Sequence, residues 1–198
     1  MSKFIKKKLK YNLIVISNYS IDVTLLFEKT TLKDLIIIEP EKIEDNRGFF
    51  ARTWDQEIFR KMNLNSKIIQ CSISNNNKKG TLRGLHLQYA PYEESKIVRC
   101  TRGKLFDIVV DLRKNSPTFK KWFSIELSSD NYKMLYVPEG CAHGYQTLED
   151  NTEATYQITE LFKPEYSGGI RWDDPTLNIK LPLEISTISK KDMSWEFI

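Results

Sequence analysis

Short runs in which apolar and polar residues alternate make up most of the chain. In residues 104–113, every second position from 106 onward is apolar, while the positions between them include two aspartates and an arginine. A two-residue period of this kind is typical of a half-buried β-strand. The same reasoning predicts further strands at residues 35–39, 122–127, 134–137, 145–148 and 152–162. Turn residues separate these runs, as in NSP at 115–117, SDN at 129–131, PEG at 138–140 and EDN at 149–151.

Helical periodicity is scarce by comparison. Residues 55–62 are predicted as one short helix, because Ile58, Phe59 and Met62 fall on one side of it. A weaker helical pattern occurs near Asp34 or after Pro164. Many closely spaced strands with one or two short helices predict an all-β sandwich or barrel.

Length and composition fit one folded domain. The chain has 198 residues, of which 40% are hydrophobic and 28% charged. This composition excludes a disordered or low-complexity chain. The longest apolar runs, at 13–16 and 35–38, have four residues each. A membrane-spanning helix needs about 20, so we expect no membrane partner.

The positive charge is concentrated at the start of the chain. Residues 1–10 contain five lysines and no acid, and without these lysines the net charge of +4 becomes −1. A nucleic-acid binder carries its charge on the folded domain, so no nucleic-acid partner is expected. Polar residues interrupt the apolar stretch after the lysines, unlike a secretory signal. We treat residues 1–26 as a basic N-terminal extension, either a disordered lead-in or an added edge strand, and residues 27–198 as the domain.

The three cysteines provide neither a disulfide framework nor a zinc site. Cys71, Cys100 and Cys141 are odd in number, far apart and without a C-x-x-C spacing. A reducing compartment fits this pattern, and the expected location is the cytoplasm.

Both histidines of the chain lie in suggestive segments. His86 lies in GTLRGLHLQ and His143 in PEGCAHG, and the spacing resembles the two motifs of cupin barrels, small double-sheet jelly rolls. Gln88 occupies the position two residues after His86 where a metal-binding cupin has histidine, which leaves the site short of transition-metal ligands. Ligation of a metal by the two histidines and Glu93 is one alternative, and a role as hydrogen-bonded structural histidines is another.

Nine segments in order extend the resemblance over residues 27–193. In this order and spacing, they resemble segments of the dTDP-4-dehydrorhamnose 3,5-epimerase family. The segments of this chain are DNRGFF (45–50), QCSIS (70–74), GTLRGLHLQ (80–88), KIVRC (96–100), FDIVVDLR (106–113), SPTF (116–119), PEGCAHG (138–144), RWDDP (171–175) and ISKKD (188–192).

The resemblance implies a cupin-like double-sheet jelly-roll barrel without metal or other cofactor. It implies a homodimer in which an N-terminal strand joins the partner's sheet. It also implies an isomerase that acts on a nucleotide sugar, with epimerisation at C3 and C5 of a dTDP-4-keto-6-deoxyhexose. Such a step belongs to rhamnose-type deoxysugar and polysaccharide biosynthesis.

Three catalytic positions follow from the family pattern. Proton removal beside a ketone needs a base, a proton donor on the opposite face and a stabiliser for the enolate oxygen. The resemblance assigns the base to His86, its carboxylate partner to Asp192 and the proton donor to Tyr156.

The resemblance also implies a set of substrate-binding positions. In this role Lys96 would lower the cost of negative charge on the sugar O4, and arginine side chains suit a diphosphate. Strict alternation puts residues 83 and 86 on opposite faces of a strand, so we expect a bulge at Gly84. The substrate-binding positions are Arg47, Phe50, Gln70, Arg83, Lys96, His143 and Lys191.

The chain departs from the family pattern at positions that contact nucleotide or sugar. It has Arg52 in place of an acid, Ser72 in place of an asparagine, Ser167 in place of a glutamate and Phe162 in place of a tyrosine. An epimerase that inverts a single centre, C3 or C5, of another nucleotide-linked 4-keto sugar is therefore the nearest alternative. A non-catalytic sugar-binding cupin and a metal-dependent dioxygenase are more distant ones.

Overall fold

The computed structural model describes residues 14–15 and 24–198 of the chain. Two short α-helices occur in this part, α1 (Gln56–Lys61) and α2 (Lys190–Met193), with a 3-10 turn at Pro164–Tyr166. The strands are β1 (Ile14–Val15), β2 (Leu25–Lys29), β3 (Ile36–Pro40), β4 (Lys42–Asp45), β5 (Gly48–Ala51), β6 (Gln70–Asn76), β7 (Leu82–Gln88), β8 (Lys96–Arg102), β9 (Lys104–Asp111), β10 (Trp122–Ser128), β11 (Met134–Val137), β12 (Cys141–Thr147), β13 (Thr152–Ile158) and β14 (Ser167–Gly169).

Two antiparallel sheets pack face to face. In the described part of the chain, the larger sheet has seven strands in the order β1-β2-β3-β11-β8-β13-β6, and the smaller has five in the order β10-β9-β12-β7-β14. Strands β4 and β5 form a separate hairpin. The predicted all-β, cupin-like double-sheet jelly roll with one or two short helices is confirmed.

The main core lies between the sheets. Val98 and Leu135 of the larger sheet pack with Val109, Leu127 and Tyr145 of the smaller one, and all five are buried. Such a core excludes water from the parts of the inner faces that it covers, where an isolated polar side chain is costly unless it is hydrogen-bonded.

Strand β9 is more deeply buried than the sequence pattern predicted. The alternation at 104–113 predicted a half-buried strand, but both faces of β9 are buried, and Asp107 and Asp111 are inaccessible to solvent. One face belongs to the inter-sheet core, and the other is covered by Ile170, Leu177 and Ile179 from the C-terminal part of the chain. The alternation correctly predicted which residues share a face. It did not reveal that the face with Asp107 and Asp111 is also buried.

Helix α1 confirms the predicted helix at 55–62. Asp55 caps its N-terminus by accepting hydrogen bonds from the backbone N–H groups of Glu57 and Ile58. Its one fully buried side chain, Phe59, packs edge-on against Phe27 and Tyr136 on the outer face of the larger sheet. The helix therefore protects that face from solvent.

The other elements agree with the sequence pattern except at their ends. Strands are present at each predicted location, but β13 ends at Ile158 and β12 begins at Cys141. The weaker helical pattern after Pro164 is a 3-10 turn, and α2 was not predicted. Most of the predicted extension over 1–26 lies outside the described residues. Ile14–Val15 of that extension pairs with β2.

A buried carboxylate ties two loops together. Asp111, at the end of β9, accepts three hydrogen bonds from Arg113, two from its guanidinium and one from its backbone N–H, and one each from Ser116 and Thr118. Arg113 also donates to Asp34 and to the Lys33 carbonyl, in the turn between β2 and β3. Burial alone would raise the pKa of Asp111, but these hydrogen bonds outweigh it and lower the pKa to about 2.

We expect Asp111→Asn to lower the free energy of unfolding at pH 7 by about 2 kcal/mol. Because the pKa is depressed in the folded state, the carboxylate stabilises the protein above pH ~4 and loses this effect as the pH falls towards about 2. The variant should therefore show a weaker pH dependence in that window, measured by urea unfolding from pH 7 down to pH 2.

Asp45→Asn is the matched control for this substitution. Asp45 pairs with Arg47 at the same two-residue spacing, but both side chains are exposed. Exposed ion pairs contribute little to stability, so the control should unfold like the parent protein. Equal losses in both variants would contradict a special role for the buried network.

Within the described residues, no helix has the length and apolar character needed to cross a membrane.

Candidate active site

The closest contact between predicted site residues joins His86 and Asp192. The Nε2 atom of His86, on β7, lies 2.6 Å from the Oδ1 atom of Asp192, on α2. The carboxylate is buried with 6% of its side chain exposed, whereas 43% of the imidazole remains accessible. A carboxylate at this distance fixes the orientation and tautomer of an imidazole whose other side faces a cavity.

Helix α2 and a backbone amide hold Asp192 in place. Ser189 caps the helix by accepting a hydrogen bond from the Asp192 N–H, and the Gly84 N–H donates to Asp192 Oδ2 at 3.2 Å. Burial alone would raise the pKa of Asp192, but the hydrogen bonds and the nearby imidazole lower it overall. The carboxylate therefore stays ionised at neutral pH.

A bulge at Gly84 brings Arg83 and His86 to the same side of the molecule. The φ angle of Gly84 is +120°, and the pairing of β7 with β12 shifts register beside it. A Cβ atom on Gly84 would lie 2.6 Å from the Cα of Gly144 on β12. Only glycine fits this backbone conformation and this close approach. The expected bulge at Gly84 is therefore present.

A second imidazole–carboxylate pair lies deeper in the barrel. His143 Nε2, on β12, is 3.0 Å from both carboxylate oxygens of Asp107 on β9, and both side chains are almost fully buried. Burial raises the pKa of Asp107, against the opposing influence of His143 and Lys96. Asp107 was missed because its alternating position gave no sign of a partner 36 residues away.

Tyr156 faces His143 from the larger sheet. The two rings are in an edge-on arrangement with centroids 6.2 Å apart, and Tyr156 is partly buried on β13. Burial, reinforced by the electrostatic influence of Tyr145 and by the charge of Asp107, raises the pKa of Tyr156 well above its usual value. The phenol is therefore protonated at neutral pH and able to donate a proton.

Two adjoining cavities contain these groups. The inner cavity has a volume of about 340 Å³ and is lined by Tyr156, His143 and His86. The outer cavity has a volume of about 500 Å³ and is lined by His86, Asp192 and Lys191. Arg83, His86 and Lys96 line both cavities, so one elongated molecule can occupy the two together and contact the imidazole between them.

The cations of the cavities are held by polar partners that the sequence did not indicate. Lys96 is nearly buried and lies 2.8 Å from Glu94, and Arg83 donates to Asn76 at 2.6 Å. Asn76 in turn donates to the Tyr145 hydroxyl. Glu94 and Asn76 are only two and seven residues away from the cations that they hold. Asn76 and Tyr145, in contrast, are 69 residues apart, so a one-dimensional pattern could not pair them.

Three predicted substrate-binding residues line neither cavity. Arg47 and Phe50 are exposed on the β4–β5 hairpin, where Arg47 pairs with Asp45. Gln70 accepts a hydrogen bond from the Phe162 N–H and so supports a residue of the outer cavity. Within one chain the structure brings together the three catalytic candidates with Arg83, Lys96, His143 and Lys191.

The metal alternative that included Glu93 is not supported by this geometry. Glu93 lines a separate cavity of about 1180 Å³ with Tyr136 and Glu139, whereas the two histidines lie in the cavities described above. Among the described residues, no three His, Cys, Asp or Glu side chains are grouped to hold a metal ion. In the separate cavity, the Tyr136 hydroxyl donates a hydrogen bond to Ser95.

The sequence is similar to those of known epimerases over most of its length. The family model for dTDP-4-dehydrorhamnose 3,5-epimerase matches residues 29–198. The dTDP-4-dehydrorhamnose 3,5-epimerase of Methanothermobacter thermautotrophicus is 44% identical over 173 residues, covering 86% of this chain and 92% of the relative.

Solved structures are similar throughout the described fold. The crystal structure of dTDP-4-dehydrorhamnose 3,5-epimerase from Elizabethkingia anophelis matches with a TM-score of 0.85 at 36% identity, covering 87% of this chain and 96% of that one. The dTDP-6-deoxy-D-glucose-3,5-epimerase of Legionella pneumophila, in complex with dTDP-4-keto-L-rhamnose, matches with a TM-score of 0.82 at 32% identity, covering 87% and 92%.

We expect Gly84→Ala to disrupt the site, because the new Cβ meets the backbone of Gly144 and the positive φ angle is unfavourable for alanine. The loss in stability should be about 3 kcal/mol or more. Thermal unfolding and activity of the variant measure the effect.

Gly48→Ala is the control that separates the clash of the new Cβ atom from the strain of a positive φ angle. Gly48 has a similar φ of +129°, but a Cβ there would have no atom within 4 Å. The control should lose only about 1–2 kcal/mol. If both variants lose the same stability, the close approach of β7 and β12 is not the constraint that we describe.

Proposed function

The chain belongs to the dTDP-4-dehydrorhamnose 3,5-epimerase family, which consists of isomerases, and from this premise we propose that it inverts C3 and C5 of a dTDP-4-keto-6-deoxyhexose without a cofactor. Such a step serves rhamnose-type deoxysugar and polysaccharide synthesis. The observation that carries the proposal is the His86–Asp192 pair on a cavity shared with Tyr156.

His86 acts as the base in this proposal. A ketone acidifies the neighbouring C–H, but a positioned base is still needed at neutral pH. The imidazole removes the proton from C3 or C5 and becomes an imidazolium, while the electron pair of the broken C–H bond moves to form an enolate at O4. Asp192, ionised and held by Gly84 and α2, stabilises the imidazolium.

Lys96 stabilises the enolate oxygen. Its ammonium group is nearly buried and lines both cavities, where a charge acts through a lower dielectric than in water. Negative charge that develops on O4 is therefore favoured next to it. Glu94 keeps the ammonium in position when no substrate is bound.

Tyr156 returns a proton from the opposite face. The enolate carbon takes the phenolic proton, and the new C–H bond has the inverted configuration. The phenolate that remains regains a proton from solvent, and His86 releases its own proton through its exposed side. The Tyr156 phenol is protonated before each turnover, because its pKa lies well above neutral pH.

The outer cavity suits the nucleotide diphosphate. Arg83 and Lys191 line it and provide positive charge, and Phe162 offers an exposed aromatic face beside them. A guanidinium group recognises phosphate oxygens through paired hydrogen bonds. The sugar then lies in the inner cavity next to His143 and Tyr156.

The proposed enzyme is a homodimer. Strand β6 forms an edge of the larger sheet, and 70% of Ile73 on it is exposed. Phe50 and Arg47 are also exposed on the β4–β5 hairpin, and a second copy would allow them to reach a nucleotide in the partner's site. The three cysteines are free, which fits a cytoplasmic enzyme.

An epimerase that inverts only C3 or C5 of another nucleotide-linked 4-keto sugar is the second candidate. Ser72 and Phe162, two of the departures from the family pattern, line the inner and outer cavities. These side chains alter the walls that determine how the sugar is oriented above His86, without changing the acid–base groups themselves.

Incubation of dTDP-4-keto-6-deoxyglucose with the protein in D₂O tests the main proposal. Deuterium should enter at both C3 and C5, detected by NMR, whereas the second candidate predicts entry at one carbon. Absence of deuterium from every nucleotide-linked 4-keto sugar tried would disprove the enzymatic proposal.

His86→Ala and Tyr156→Phe separate the two proton transfers. His86→Ala should abolish deuterium entry and leave dTDP affinity, measured by calorimetry, nearly unchanged. Tyr156→Phe should retain exchange at the abstracted position but slow inversion by about 100-fold or more. A parallel loss of affinity and exchange in His86→Ala would contradict its assignment as the base.

Ile73→Glu should shift the protein from dimer to monomer, because it introduces a charge on the exposed edge strand. Phe119→Glu is the control, since Phe119 is an exposed apolar residue in the loop between β9 and β10. Sedimentation velocity at micromolar concentration measures both. A monomeric parent protein, or two variants that behave alike, would argue against the proposed interface.

A further inference from the structure

The chain that follows α2 places an indole ring beside the imidazole of His86. The ring of Trp195 meets that of His86 in an edge-to-face arrangement, with centroids 6.3 Å apart and an interplanar angle of 72°. Gly169 on β14 leaves the space for it, because a Cβ atom there would lie 2.6 Å from the indole Nε1. Trp195 therefore fills the gap between β14 and the imidazole.

Backbone contacts anchor this segment on both sides of Trp195. On one side, the Asp192 N–H donates to Ser189, which caps α2. On the other side, the Ile198 N–H donates to the carboxylate of Asp174 at 2.6 Å, and Asp174 is itself buried. The Arg171 N–H also donates to the Glu196 carbonyl. The indole is thus held in place by the fold.

The indole makes its contacts through the ring rather than through its N–H group. The Nε1 atom is buried and has no hydrogen-bond partner among the described residues. The ammonium of Lys191, by contrast, lies 5.3 Å from the ring centroid, a cation–π distance. One aromatic ring therefore contacts both an imidazole and a lysine of the outer cavity.

His86 needs such a second contact. Asp192 fixes one ring nitrogen, but a single hydrogen bond leaves the imidazole free to tilt, and 43% of its side chain is exposed. Catalytic side chains keep a productive orientation only when surrounding groups lock their rotamers. An aromatic edge against the ring restricts this tilt at little entropic cost, because the indole is already anchored.

We propose that Trp195 is a positioning residue that holds the His86 imidazole towards the inner cavity and keeps Lys191 at the outer cavity. The inference rests on the proposed role of His86 as the base. Trp195 takes no part in proton transfer and does not need to touch the substrate.

Trp195→Ala should lower kcat for deuterium exchange by about 10–100-fold, since small misplacements of a base have effects of this size. KM should rise by a smaller factor, because Lys191 loses its support. Trp195→Phe keeps an aromatic ring without the N–H group and should retain most of the activity. Trp195→Leu keeps volume without an aromatic ring and should resemble Trp195→Ala, which provides a second test if the alanine variant is unstable.

Phe197→Ala is the matched control for loss of an aromatic ring from this segment. Phe197 is half exposed and contacts Arg171 rather than His86. Its kcat and KM should equal those of the parent protein. If Trp195→Ala behaves like Phe197→Ala, the inference is wrong. It is equally wrong if Trp195→Phe is as impaired as Trp195→Ala, because the N–H group would then be the part that matters.

NMR of the imidazole nitrogens gives a readout that does not depend on turnover. The chain has two histidines, so ¹⁵N labelling yields one set of signals for His86 and one for His143. Trp195→Ala should shift and broaden the His86 signals and leave those of His143 unchanged. Unchanged His86 signals would overturn the inference even if activity falls. Failure of the proposed function is recognised separately, by absence of exchange in the parent protein.

Discussion

Two glycines facing each other across β7 and β12 allow the site to form. Gly84 and Gly144 bring the two backbones so close that neither position has room for a side chain. The resulting bulge turns Arg83 and His86 to one side and points the Gly84 N–H at Asp192. One local deviation from a regular strand therefore sets the positions of the His86 imidazole, the Arg83 guanidinium and the Asp192 carboxylate.

At neutral pH, Asp192 is an ionised carboxylate and Tyr156 a neutral phenol, as the proposed chemistry needs. Hydrogen bonds and the His86 imidazole outweigh the desolvation of Asp192 and lower its pKa, while desolvation of Tyr156 raises a pKa that already lies above neutral pH. The two groups lie in the same pair of connected cavities, yet the pKa of Asp192 is lowered and that of Tyr156 is raised. The proposed base, paired with an anion, and the proposed neutral acid can therefore act at the same pH.

The C-terminal part of the chain contributes to the site alongside the barrel strands. Asp192 and Trp195 both come from it, and contacts with Asp174 and Arg171 fix its course over the smaller sheet. The same region covers the outer face of β9. The geometry around His86 and the burial of that sheet thus depend on one part of the chain, so changes that loosen it are expected to affect both.

The local sequence pattern was sufficient to predict the strands, the helix that begins after Asp55 and the all-β class. Alternation and capping are properties of neighbouring residues, so they can be read without the tertiary structure. The order of nine segments identified the family, and with it His86, Asp192 and Tyr156 as the residues to examine. Alternation also indicated that a bulge at Gly84 was needed for Arg83 and His86 to share a side.

Tertiary structure alone decided which distant residues meet. The pairing of His143 with Asp107, the hydrogen bond from Asn76 to Tyr145 and the contact of Trp195 with His86 join different strands or segments. It also decided that the polar face of β9 is buried and that Arg47 and Phe50 lie away from the cavities of their own chain. The physical reason is that burial and long-range contact depend on how sheets stack, and alternation along a strand carries no information about what covers each face.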